Sequence, residues 1–70
     1  MKYLIVVEKT KTGYSAYSPD LDGCVAAGKT RLQAERQMRE AIQFHLEGLR
    51  EEGGRIPHPH AYPAFVEVPA

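Results

Sequence analysis

The segment Tyr14 to Thr30, YSAYSPDLDGCVAAGKT, runs directly into TRLQAERQMREAIQFHLEGLREEGG, and this junction leaves the chain little choice of fold. The pattern of Tyr14, Ala16 and Tyr17 reads as a short strand that stops at Pro19-Asp20, a turn-forming pair. Gly23 and Gly28 bracket the small-residue run Cys24 to Ala27, where backbone must bend or approach something closely. Thr30 followed three residues later by Gln33 is a capping-box pattern that opens a helix. Strand, turn, strand and capped helix therefore follow one another without a spacer.

The flanks extend this reading. Lys2 to Lys9 is expected to form the first strand, with Leu4, Ile5, Val6 and Val7 in one apolar run. Tyr3, Ile5 and Val7 would face one side and Leu4 and Val6 the other, so both faces are apolar. Thr10 to Gly13 reads as a hairpin loop into Tyr14 to Ser18, and a third strand is expected over roughly Val25 to Gly28. The helix should run from about Leu32 to Glu52 and stop at Gly53-Gly54. Ile56 to Pro63 holds three prolines and two histidines and reads as a stiff, extended connection. Phe65 to Val68 is short enough for a last edge strand, limited by Pro63 and Pro69. The expected class is α+β, a small antiparallel β-β-β-α-β sheet with one helix packed on one face.

At 100 degrees per residue, Ala34, Met38, Ala41, Ile42, His45 and Leu49 share one side of the helix. Arg36, Glu40, Gln43, Glu47 and Arg50 share the other, a solvated face to which the Glu35 and Arg39 pair adds a few tenths of a kcal/mol. Gly48 interrupts the helix, and close approach of another backbone is one motive for it, tolerated variation the other. One helix covers one face of the sheet. The second apolar face calls for another chain, and a homo-oligomer, most simply a dimer, is expected.

Size and charge narrow the function. Seventy residues make a single domain, 1–70, whose core is marginal alone, and one cysteine cannot form an internal disulfide. A formal net charge of zero argues against a protein that coats nucleic acid. The run Tyr3 to Val7 is too short for secretion or membrane spanning, so a cytoplasmic protein with no membrane partner is expected.

No residue pattern demands catalysis. Cys24 could act as a nucleophile only with a base such as His45, His58 or His60 beside it, and a small buried packing residue is the preferred reading. His58 and His60 point the same way on an extended segment, but two imidazoles are too few for structural zinc without Cys24 or His45. His45 reads as a core or interface histidine. Asp20 and Asp22 fall within one turn, where side-chain-to-backbone hydrogen bonding explains them more cheaply than metal binding. No catalytic residue, metal ligand or cofactor is expected.

The N-terminal apolar strand, the PDLDGC turn, Gly28, Thr30, the helix with Ala34 and Ala41, and Ile56-Pro57 together resemble the HicB family, the antitoxin half of bacterial HicA–HicB pairs. The resemblance covers most of the chain. It implies a reduced ribonuclease-H-like fold, and a protein that binds and masks a small, basic, mRNA-cleaving HicA-type toxin. It also raises the question of a degenerate nuclease, for which two aspartates and Glu8 are too few converging carboxylates. Pro19, Gly23, Cys24, Gly28 and Thr30 are then the structural motif, and Asp20, Leu21 and Asp22 the candidate partner contacts. Full antitoxins of this kind continue into a DNA-binding domain, which is not expected within these residues, nor is direct contact with nucleic acid. The alternative is a stand-alone oligomeric domain that binds another protein or a small ligand, with no toxin partner.

Overall fold

In the computed structural model, which describes residues 1–70, the chain turns back on itself twice before committing to its helix. Strand β1 (Val6–Lys9) pairs antiparallel with β2 (Tyr14–Ser18), which pairs antiparallel with β3 (Leu21–Gly28), giving the order β1-β2-β3. The β1–β2 loop closes as expected: the Thr10 amide donates to the Gly13 carbonyl (2.8 Å), and the Gly13 amide to Thr10 Oγ1 (3.1 Å). The registers Val7–Ala16–Ala26 and Val6–Tyr17–Val25 place alternate residues on opposite faces.

Helix α1 (Arg31–Glu51) starts where its cap directs. Thr30 Oγ1 accepts from the Gln33 amide (3.0 Å), while Gln33 Oε1 reaches back to the Lys29 amide (2.6 Å). It stops in a Schellman motif: Gly53, at φ 72, donates to the Arg50 carbonyl, and Gly54 to that of Leu49. Gly28 delivers the chain to the helix at close range, since a Cβ there would lie 2.6 Å from the Ala34 amide nitrogen. Only hydrogen fits.

Met38 and Ala34 are fully buried, and Ala16, Leu21 and Cys24 close the core around Met38. Tyr3, Ile5, Val7, Ala41, Ile42 and Leu46 pack around it. Leu46 thus joins the packed side of the helix beyond the stripe read from sequence. His45 is half-buried, and a Cβ on Gly48 would meet open space, so no backbone of this chain approaches that glycine closely.

Three boundaries differ from expectation. The paired part of the first strand begins at Val6 rather than Lys2, because β2 ends at Ser18 and gives Leu4 only a side-chain bond, Ser18 Oγ to its carbonyl at 2.8 Å. The third strand starts earlier, at Leu21, because the β2–β3 turn is tight and a bulge carries pairing past Gly23. The fourth strand expected at Phe65 to Val68 is absent as a paired element, since residues 54–70 form no ladder with any strand. The sheet therefore has three strands and one helix, an α+β arrangement.

Candidate functional site: the PDLDGC turn and the open sheet face

The turn owes its shape to a mismatch of residue counts. Tyr17 pairs with Val25, yet Ser18 pairs with Leu21, so Asp22, Gly23 and Cys24 are extra residues on β3. Gly23 takes φ 75 to absorb them, a conformation other L-residues seldom adopt. The bulge turns Leu21 and Cys24 inward, at 1% and 4% exposed, and leaves Asp22 and Gly23 outside. Of the three candidate contacts, Leu21 therefore offers a partner no side chain. Its isobutyl group is core.

Asp20 is already engaged within the chain. Its carboxylate oxygens lie 3.2 and 3.3 Å from the Ala61 amide, which donates to them. This bond and one from the Tyr3 hydroxyl to the Pro57 carbonyl (2.5 Å) strap residues 57–61 across the end of the sheet. Asp22 is the free carboxylate of the turn. It borders a shallow concavity with Tyr17, Pro19, Gly23 and Val25, continuous with the sheet face that the helix does not cover. On that face Tyr17 and Val25 are exposed, and Leu4 and Val6 half-buried. The arrangement suits a protein surface: an apolar patch with a negatively charged rim.

A second groove runs between β3 and the C-terminal half of α1, lined by Val25, Phe44, His45 and Leu49 among others. Phe44, 80% exposed, was not part of the apolar stripe, and its place beside Val25 depends on how the helix crosses β3. Sequence alone carried no signal for that pairing.

Of the residues weighed for chemistry, Cys24 and His45 border this same groove, and neither His58 nor His60 joins them there. No group of three His, Cys, Asp or Glu side chains is placed to hold a metal ion. His58 and His60 are both exposed on the strap, while Cys24 lies in the core. Burial pushes the Cys24 thiol above its ordinary pKa, the opposite of what an activated nucleophile needs. No helix is long and apolar enough to cross a membrane.

Comparison with known proteins gives this geometry a family. The chain is 36% identical over 69 residues to an uncharacterized protein of Haemophilus phage HP1, covering 99% of this chain and 52% of the phage protein. It is 36% identical to a UPF0150 protein of Thermoplasma acidophilum, over 87% of this chain and 90% of that one. Against Antitoxin HicB 2 of Photorhabdus laumondii it is 32% identical, over 100% of this chain and 51% of the antitoxin. It thus spans about half the length of the phage protein and of the Photorhabdus antitoxin. A chain in the structure of a HicA3 and HicB3 toxin–antitoxin complex superposes with a TM-score of 0.75 at 39% identity, covering 87% of this chain and 71% of that chain. The crystal structure of antitoxin HicB3 gives 0.72 at the same identity, covering 87% of this chain and 45% of that one. The model of the HicB_like antitoxin of bacterial toxin–antitoxin systems matches residues 3–70, and the chain belongs to that family.

Proposed function

We propose that this protein is the antitoxin of a HicA–HicB-type pair, and that it binds and masks a HicA-type mRNA-cleaving toxin through protein–protein contacts. The observation that carries this is the match, at 39% identity, to a chain of the HicA3 and HicB3 complex. The protein acts in the cytoplasm, as a non-enzyme and a homo-oligomer, with no direct nucleic-acid contact. Its three-strand, one-helix fold is a reduced ribonuclease-H-like one, in which the last strand of the β-β-β-α-β plan finds no partner within the chain. The open sheet face supplies apolar contact area, and Asp22 supplies a negative rim suited to a basic toxin. Rim charges act mainly on association rate.

The proposal expects a small basic HicA-type protein encoded beside this gene, and the test mixes that protein with the purified chain and follows cleavage of a reporter RNA. The chain alone leaves the RNA intact and, at stoichiometric amounts, suppresses cleavage by the toxin. Asp22→Asn slows association and flattens its salt dependence without disturbing the strap that Asp20 holds. Uninhibited cleavage, or cleavage by the chain itself, refutes the proposal.

One observation favours a second reading. The chain covers 90% of the Thermoplasma protein, so a relative of nearly this size exists. A stand-alone oligomer that serves another protein client predicts no toxin inhibition in the same assay.

A further inference from the structure

The chain exposes more surface than its mass requires. A folded monomer of 7.8 kDa is expected to expose about 4,400 Å², against the 5987 Å² found here. Its radius of gyration is 13.9 Å, where a compact chain of this length has about 11 Å. Much of the excess lies in residues 62–70, every one of them exposed. Phe65, Val66 and Val68 are 95%, 85% and 73% exposed. The surplus is roughly 1,600 Å², about twice the 800 Å² per partner that a standard interface removes.

The same molecule has a place for a strand of that composition. β1 pairs with β2 along one edge only, and its other edge is free. Beside that edge, a cleft between the N-terminal segment and α1 is lined by Tyr3, Ile5, Ile42 and Arg39. The other free edge, on β3, is bent by the bulge at Gly23, a feature that resists strand addition. The β1 edge is unbent, and Val6 and Val7 give its first half an apolar side chain on each face, continuing the apolar run of Tyr3, Leu4 and Ile5.

The tail does not turn back to its own β1. It is pinned through Ala61 to Asp20, and next comes Tyr62-Pro63, where proline keeps the preceding residue extended. The chain consequently runs outward, and the molecule measures 49 Å along its longest axis but 16 Å along its shortest.

We infer that residues 64–68 of one protomer add as a fourth strand to the free β1 edge of a second copy, with the exchange reciprocated about a twofold axis. Alternation fits both surfaces. Ala64, Val66 and Val68 enter the cleft against Tyr3, Ile5 and Ile42, while Phe65 joins Leu4 and Val6 on the open face. Glu67 falls on the face that carries Lys2, the cation at the start of that edge. This deepens the self-association in the proposed function and is independent of toxin capture.

The experiment uses the 70-residue chain alone. Sedimentation at micromolar concentration gives a dimer, and the double variant Val66→Lys, Val68→Lys sediments as a monomer with its helical circular-dichroism signal retained. In dimers mixed from differently isotope-labelled chains, filtered nuclear Overhauser spectra show the Val66 and Val68 methyls close to amides of residues 2–7 of the other chain. A dimer that survives the double variant overturns the exchanged strand while leaving self-association standing. Contacts from these methyls only within one chain, or to a different surface of the partner, overturn it too. A monomeric wild type overturns both.

Discussion

Cys24 and Asp22 stand two residues apart and have opposite fates, because the bulge turns one inward and the other out. Burial raises the Cys24 pKa, so the folded chain holds its proton to higher pH than the unfolded chain does. Between the unfolded value, about 8.5, and the raised folded value, unfolding releases a proton. The stability this residue contributes is therefore complete below that window and falls as pH climbs through it. Denaturant titrations from pH 7 to 10 should show this fall in the wild type and a shallower one in Cys24→Ala. The thiol should also react with a disulfide reagent more slowly in the folded chain than in urea. Equal slopes, or a fast-reacting thiol, would mean that Cys24 is not held in the core. The packing role was readable from sequence, since a lone cysteine in a small-residue run lacks a local catalytic setting. The burial of Leu21 was not. Simple alternation would turn Asp22 and Cys24 to one face, and only the three extra residues on β3 separate them.

Among the elements, the helix is fixed most tightly by local chemistry, at both ends. Thr30→Ala removes the acceptor for the Gln33 amide and should cost about 1 kcal/mol. In a domain of this size that lowers the melting temperature by about 4–8 °C, and Thr30→Ser should restore most of it. An unchanged melting temperature would show that the link from Gln33 to the Lys29 amide holds the helix start alone. These signals act between near neighbours, which is why the helix limits were legible to within a residue. Strand pairing is set at longer range. The first strand was legible as an apolar run, but where its ladder starts depends on where β2 ends. The Phe65 to Val68 segment has strand composition yet pairs with no strand of its own chain, a fact no local pattern contains.

At the scale of the whole molecule, two hydrogen bonds separate a packed body from a projecting arm. Tyr3 holds the Pro57 carbonyl and Asp20 holds the Ala61 amide, while Ile56, Pro57, Pro59 and Ala61 are half-buried along the strap. Hydrogen bonds to a charged group contribute more than neutral ones, about 1.5–3 kcal/mol. Asp20→Ala should therefore speed hydrogen exchange at the Ala61 amide by about tenfold or more. Tyr3→Phe, which removes a neutral bond, should loosen the strap less. Neither change touches Met38 or the helix cap, so exchange in the middle of α1 should stay slow. The strap also sets the direction in which the arm leaves. Releasing it lets residues 62–70 explore their own β1 edge as well as a partner's, and an intramolecular contact competes through its high effective concentration. Asp20→Ala should therefore raise the monomer fraction in sedimentation although it leaves every side chain of the arm intact. If Ala61 exchange rises and the dimer is unaffected, the strap anchors the tail without directing it.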